Sequence, residues 1–224
     1  MASPEAPQPL LVACALGIEH LALRRGLGRP GDGRPGGGPR AADVTLLRSG
    51  MGAQAARRAV TRALADEQVP GATPVLATGF CAGLVPGMRP GDLVLAEETR
   101  DQLGRTRCAG TDLLATALAR HATGRTVHVG TLAGTDRVVR GQARTALHTA
   151  GAIAADMESA ATLDAAAAGT ARRPVAAVRV VVDAPGHELI RIGTLRGGIS
   201  AFRVLRGVLP AFLEWHRSLL LPWR

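Results

Sequence analysis

Lysine and tyrosine are absent from the 224-residue chain, so arginine supplies all 27 basic side chains. The absence of lysine excludes catalysis through a lysine Schiff base and a phosphate-binding loop of the lysine-dependent kind. Aromatic residues make up only 2% of the chain, which leaves few side chains on which nucleic-acid bases could stack. Because the arginines are scattered, we expect no nucleic-acid partner in spite of a net charge of +9.

Signals for metal binding, secretion and membrane spanning are also missing. Cys14, Cys81 and Cys108 form no CxxC pair, and the six histidines form no HxxxH pair, so we expect no metal. No stretch reaches the roughly 18 apolar residues that a membrane span needs. The N-terminus lacks the basic and apolar regions of a signal peptide. We therefore predict a cytoplasmic protein whose thiols are reduced.

The length and an apolar content of 46% fit one α/β domain with a sizeable core, and we predict a single domain over residues 1–224. Short apolar runs alternate with helical segments. Strands are expected at 9–16, 43–47, 74–77, 126–133 and 175–182. Residues 28–40 are rich in glycine, proline and arginine, which predicts a flexible loop.

Acidic residues follow two of the apolar runs. Asp156-Met157-Glu158 ends one run and precedes a helix of small residues, and Asp183 ends the run at 175–182. Ligands of open α/β sheets bind where strands end, and buried carboxylates are costly unless they are paired. These acids are therefore candidates for a ligand site. Helix capping is the alternative for Asp156 and Asp183.

Two further motifs lie at junctions between a strand and a helix. Arg48-Ser49-Gly50-Met51-Gly52 precedes a helix that begins at Ala53. Glycine N–H groups at a helix N-terminus can bind an anion, and Arg48 could add a charge-assisted contact, unless it is a surface residue. Glu19 lies in the first turn of the first helix, where the helix dipole favours an acid by about 0.3–1 kcal/mol.

These motifs, together with 78–84 and the turn Gly91-Asp92, resemble the nucleoside phosphorylase and nucleosidase superfamily. The resemblance implies a three-layer αβα sandwich around a mixed, twisted sheet. It also implies cleavage of the N-glycosidic bond of a purine nucleoside without a metal or organic cofactor. A phosphorylase would use inorganic phosphate as a co-substrate, whereas a nucleosidase would use water; the sequence leaves this choice open.

The same resemblance implies roles for individual residues. Asp183 would protonate the purine at N7, which requires its neutral form, and burial favours that form. Met157 and Glu158 would hold the ribose hydroxyls, and Glu19 would orient the attacking water. A pocket for phosphate or the nucleophile would be formed by Arg48, Gly50, Gly52 and Thr78. Val138, at a position where the family often has phenylalanine, and Asp156 would line the base.

The C-terminal segment resembles that of the hopanoid-associated members of the superfamily, which implies adenosylhopane as the substrate. Leu219 to Leu221, with Arg217, Trp223 and Arg224, have the composition of an interfacial anchor, which predicts peripheral membrane contact. The alternatives are a nucleosidase for methylthioadenosine, adenosylhomocysteine or futalosine, and a non-catalytic nucleoside-binding or membrane-surface module. A homo-oligomer is expected.

Overall fold

The computed structural model describes residues 9–27, 44–65, 72–168, 173–186 and 194–219, with side chains from residue 200 in the last range. The predicted loop at 28–40 and the last five residues of the predicted anchor lie outside these ranges. The strands are β1 Leu10–Cys14, β2 Val44–Arg48, β3 Val75–Gly83, β4 Leu93–Arg100, β5 Arg105–Arg107, β6 Val127–Gly134, β7 Ala152–Asp156 and β8 Val175–Asp183. The helices are α1 Gly17–Gly26, α2 Ala53–Ala65, α3 Thr111–His121, α4 Gly141–Thr149, α5 Ser159–Ala167, α6 Thr194–Gly207 and α7 Leu209–Leu219.

The strands form one mixed sheet, as predicted, but part of this sheet closes on itself. Strands β2, β1 and β3 are parallel neighbours, and β5 lies antiparallel beside β4. Around the closed part, β3 pairs with β8, β8 with β4, β4 with β6, β6 with β7, and β7 with β3 again. We call these five strands the ring. The ring brings the ends of β7 and β8 to opposite sides of β3.

Helices cover both faces of the sheet, so the predicted α/β class with a mixed sheet is confirmed. On one face, α1, α3, α6 and α7 pack against alternate residues of the strands, including Val178 and Val180 of β8. On the other face, α2 and α5 pack against the intervening residues, including Ala177 and Val181. Because both faces are covered, the strands have continuous apolar runs.

Helix α5 contacts four ring strands, β3, β4, β6 and β8, and it buries Ala160, Ala161 and Ala166. Alanine has a small side chain and the highest helix propensity, so an alanine-rich segment can form a helix close to a sheet. This close packing fixes the position of the residues at the start of α5, immediately after β7.

The structure extends one predicted strand and divides the C-terminal segment into two helices. The strand expected at 74–77 is longer than predicted, because β3 continues to Gly83 in register with β8. Helix α6 ends at Gly207 and α7 begins at Leu209, so Pro210 occupies the first turn of α7, where its missing N–H costs nothing.

The C-terminal helices pack against the sheet, with Leu205, Leu209, Phe212 and Trp215 fully buried. The indole N–H of Trp215 donates to the carbonyl of Ala109 at 3.1 Å. Among the described helices, none combines the length and the apolar composition that crossing a membrane would require.

Candidate active site

Glu19 is held by backbone donors from two elements. Its Oε2 accepts hydrogen bonds from the N–H groups of Ala15 and Leu16 at 2.9 and 2.8 Å, and its Oε1 accepts from Phe80 of β3 at 2.8 Å. The side chain is 2% exposed. Three N–H donors stabilise a carboxylate, which has about four acceptor positions, so one position of Glu19 is left for a ligand.

Arg179 lies opposite Glu19 on β8 and is fully buried. Its Nε is 2.5 Å from Oδ2 of Asp156 and 2.8 Å from the hydroxyl oxygen of Ser159. Its Nη1 is buried without a hydrogen-bond partner in the protein. A buried donor without a partner costs free energy, so it is a place where a bound ligand would add a contact.

Gly79 brings Glu19 and Arg179 together. It pairs with Arg179 across β3 and β8 and has a φ of +134°. A Cβ atom at this position would lie 2.4 Å from Oε1 of Glu19 and 2.6 Å from Nη1 of Arg179. The unpaired acceptor position and the unpaired donor therefore flank the same glycine, and no larger residue fits between them.

Glu158 lies at the junction of β7 and α5, and its Oε1 accepts a hydrogen bond from the N–H of Gly52 at 2.8 Å. Burial raises the pKa of Glu158 above its usual value; Arg179 and the Gly52 N–H oppose this effect, whereas Asp156 and Glu19 add to it. Burial alone would lower the pKa of Arg179, but Asp156, Glu19 and Glu158 outweigh it and raise that pKa. Arg179 therefore carries the positive charge around which three acidic side chains are grouped.

Asp183 ends β8 on the other side of β3. Ala82 of β3 pairs with Asp183 and also with Ala155 of β7, which brings the two predicted acidic motifs together. Oδ2 of Asp183 accepts a hydrogen bond from Nη2 of Arg144 at 2.5 Å, while Oδ1 is buried and has no partner. Asp183 thus keeps one oxygen free.

Of the four residues predicted to form a pocket for phosphate or the nucleophile, two have their donors engaged elsewhere. Gly50 and Gly52 do have the positive φ values of a tight turn, 83° and 89°, but the N–H of Gly52 is occupied by Glu158. Thr78 is fully buried, and its hydroxyl donates to the carbonyl of Val178 at 2.8 Å, within the sheet. Arg48 is exposed at the end of β2. Neither the Gly52 N–H nor the Thr78 hydroxyl proton is left for an anion.

The predicted lining of the base is corrected for Asp156. Its carboxylate is turned to Arg179 and also accepts hydrogen bonds from the N–H and hydroxyl groups of Ser159. It therefore positions Arg179 and the start of α5. Its contacts with Ser159 resemble the helix capping that was the alternative role for Asp156. Val138 is 65% exposed and Met157 is half-buried beside Glu158, so both can be reached by a ligand.

Two arginines of the site were not predicted from the sequence. Arg179 interrupts the apolar run 175–182, which predicts a buried strand. A charged residue inside such a run indicates a buried ion pair. Arg144 has no such signal, because it lies in a helix whose other residues are mostly exposed.

Comparison with known proteins agrees with this geometry. The family described as the phosphorylase superfamily matches residues 40–191. No curated protein sequence shows a significant match to the chain.

Among solved structures, the 5′-methylthioadenosine/S-adenosylhomocysteine nucleosidase of Neisseria meningitidis, in complex with methylthio-immucillin-A, is 21% identical over 92% of this chain and 99% of its own, with a TM-score of 0.74. The nucleosidase of Streptococcus pneumoniae with the transition-state inhibitor MT-ImmA is 22% identical over 92% and 99%, with a TM-score of 0.72. The S-adenosylhomocysteine nucleosidase of Streptococcus pyogenes is 21% identical over 99% and 100%, with a TM-score of 0.74.

The structural likeness extends across the region before residue 40, where the family match begins, so the strand, turn and helix that carry Glu19 belong to the shared fold. The family match spans well over half of the chain, and the sequence motifs and the fold agree with it. The chain belongs to the phosphorylase superfamily.

Proposed function

We propose that this protein is a nucleosidase that hydrolyses the N-glycosidic bond of a 5′-substituted adenosine and releases adenine. The observation that carries the proposal is the placement of Glu19 and Arg179 beside the same glycine, Gly79. One acceptor position of Glu19 and one donor of Arg179 are unpaired and adjacent. A water molecule within reach of both could donate a hydrogen bond to Glu19 and accept one from Arg179.

In the proposed reaction, the oxygen of this water forms a bond to C1′ as the bond between C1′ and N9 breaks. The water proton passes to Glu19, and Asp183 supplies a proton to N7 of the leaving base. The transition state has the character of an oxocarbenium ion, so the negative charges of Glu19 and Glu158 stabilise it electrostatically. Glu158, with Met157, would accept hydrogen bonds from the ribose hydroxyls.

Water is favoured over phosphate as the nucleophile. Phosphate needs several free donors, and the Gly52 N–H and Thr78 hydroxyl that could have supplied them are engaged by Glu158 and Val178. The buried surroundings of Gly79 offer one free donor next to a carboxylate, which suits a neutral water molecule better than an anion.

The similar structures support the choice of substrates to test. They are nucleosidases named for methylthioadenosine and adenosylhomocysteine, so these two compounds come first. A lipid-linked adenosine such as adenosylhopane is the second candidate. It rests on the apolar sequence of residues 219–221 and on Trp223, and the residues after Leu219 lie outside the described ranges.

The deciding experiment measures free adenine after incubation of the protein with each candidate, with and without phosphate. We expect adenine release at the same rate in both conditions and a free 5′-substituted ribose as the second product. The Asp183→Asn variant, which is nearly isosteric, should remain folded and lose about 10²–10⁴ in rate. Glu19→Gln keeps one acceptor oxygen for the N–H groups of Ala15 and Leu16 but sets an NH2 group against the N–H of Phe80. It cannot take the proton, and it should be inactive.

Three results would count against the proposal. Strict dependence on phosphate, with a ribose 1-phosphate product, would show a phosphorylase instead. Full activity of folded Asp183→Asn would remove that residue from the mechanism. Binding of the nucleosides without cleavage would support the non-catalytic module.

A further inference from the structure

Helix α4 buries an arginine where an amphipathic helix normally buries an apolar residue. Among its nine residues, Arg144 is the only buried one, at 6% exposure, and Leu147 is the apolar residue that packs partly against the core. A helix on a sheet usually gains its stability from an apolar stripe. The burial of Arg144 therefore calls for a reason other than packing.

The contact of Arg144 suggests this reason. Its Nη2 donates to Oδ2 of Asp183 at 2.5 Å, and the side chains of the pair are 7% and 12% exposed. Nε and Nη1 of Arg144 and Oδ1 of Asp183 have no partner. A buried ion pair made only for stability would have its remaining donors satisfied, because unsatisfied donors offset the gain.

We propose that Arg144 is a positioning residue for Asp183: it anchors Oδ2 and presents Oδ1 to the leaving base. The proposal rests on the role of Asp183 in the proposed function. With Oδ2 fixed, the carboxyl group cannot rotate, so the proton that passes to N7 must be carried by Oδ1. After the transfer, Arg144 stabilises the resulting carboxylate, and solvent restores the proton.

The other charged groups near β8 leave this role to Arg144. Strand β3, which pairs with β8 at Asp183, has Cys81 as its one ionisable side chain, and burial raises the pKa of that thiol. Strand β4 pairs with β8 at Leu93 to Leu95, away from Asp183. Among the side chains that the structure describes, the remaining charged residues on the packed elements are Asp156 at the end of β7, which binds Arg179; Glu158, which binds Gly52; Asp164 of α5, which binds Arg57; and the exposed Arg203 and Arg206 of α6.

The first test follows the carboxyl group of Asp183 without any substrate. In protein labelled with ¹³C at the aspartate carboxyl groups, the Asp183 signal is assigned by its loss in Asp183→Asn. We expect the chemical shift of this signal at a fixed pH to change in Arg144→Gln, because the hydrogen bond from Arg144 to Oδ2 is lost. Arg144→Lys keeps a charged donor and should stay near the wild type. Arg140→Gln, which changes the exposed N-cap residue of the same helix, is the matched control.

The second test measures the kinetics of base release. The loss of positioning in Arg144→Gln should lower kcat by about 10–10² with little change in KM, and Arg144→Lys should recover part of the loss. An unchanged Asp183 signal or an unchanged kcat in Arg144→Gln would overturn the proposal. Absence of base release by the wild type would overturn the proposed function, while the carboxyl signal would still decide whether Arg144 controls Asp183.

Arg144→Gln could fail to fold because it leaves Asp183 buried without its partner. The double variant Arg144→Gln/Asp183→Asn is then compared with it by thermal unfolding. Recovery of folding in the double variant would support an action of Arg144 through Asp183. Failure of both variants would assign Arg144 to the structure of α4 and overturn the proposal.

Discussion

Glu158 is 7% exposed, and its negative charge is opposed by burial and by two neighbouring acids. Its folded-state pKa is therefore above the ordinary value, which means that folding favours the protonated form. The corresponding stability is present below the ordinary pKa and is lost as the pH rises through the raised pKa. The ionised form of Glu158 therefore makes the fold less stable than its protonated form would.

Replacing Glu158 with glutamine separates these two effects. The Glu158→Gln variant should be at least as stable as the wild type at pH 7 in urea unfolding, and its stability should fall less between pH 4 and pH 7. Its kcat should decrease more than its KM increases, because contacts to the ribose strengthen as C1′ becomes positive.

A 2′-deoxyadenosine substrate is the control for the ribose contact, since it lacks one of the hydroxyls. The difference in rate between the wild type and Glu158→Gln should be smaller with this substrate than with the ribonucleoside. If the wild type and Glu158→Gln lose the same factor on removal of the hydroxyl, Glu158 does not bind it.

At the scale of elements, Gly79 of β3 permits Glu19 of α1 and Arg179 of β8 to approach each other. We predict that Gly79→Ala destabilises the protein by about 2–4 kcal/mol, the sum of a strained φ and an overlap with Glu19 and Arg179. It should also abolish base release. Gly87→Ala is the matched control, because Gly87 has a φ of +92° but open space around its Cβ position. Chemical denaturation of both variants gives the comparison, and equal losses would show that the overlap is unimportant.

The sequence predicted the elements whose pattern is local. The α/β class follows from the alternation of apolar runs with helical segments, and the mixed sheet was implied by the family resemblance. The acids at the ends of β7 and β8 were identified because strand ends meet at ligand sites, and the structure brings them to the two sides of Ala82. Their catalytic roles stay predictions until the variants are tested.

What could not be predicted depends on contacts between distant segments. Thr78 was assigned to the pocket for phosphate or the nucleophile, but its hydroxyl donates to the carbonyl of Val178, 100 residues away. Asp156 was assigned to the base, but it binds Arg179. Arg144 contacts an acid 39 residues further along the chain. No local pattern encodes such pairs, because each depends on how the ring places two strands or a helix and a strand.

At the scale of the whole molecule, the open prediction concerns membrane contact. Truncation after Leu219 removes Leu221, Trp223 and Arg224 but keeps the buried contacts of α7, such as those of Trp215. We expect unchanged thermal unfolding and weaker, salt-sensitive binding to anionic vesicles than that of the full chain. The substitution Trp223→Ser in the full chain is the control. It removes the indole but keeps the net charge of +9, so it separates the effect of the indole from that of charge.

Co-sedimentation with vesicles at low and high salt measures this difference. Equal and negligible sedimentation of the full and truncated chains would remove the support for a lipid-linked substrate. It would leave the methylthioadenosine and adenosylhomocysteine assignment untouched, since that assignment does not depend on the tail.

The ring also determines when the protein can acquire its activity during synthesis. Strand β8 is the last strand of the ring along the chain, yet it lies between β3 and β4, which are made much earlier. Until β8 emerges from the ribosome, β3 and β4 each present an unpaired edge, and such edges pair readily with other chains. Insertion of β8 covers both edges and delivers Arg179 and Asp183 in the same event. A nascent chain that stops before residue 175 is thus both inactive and prone to aggregate, and folding should be slow because it waits for this distant pairing.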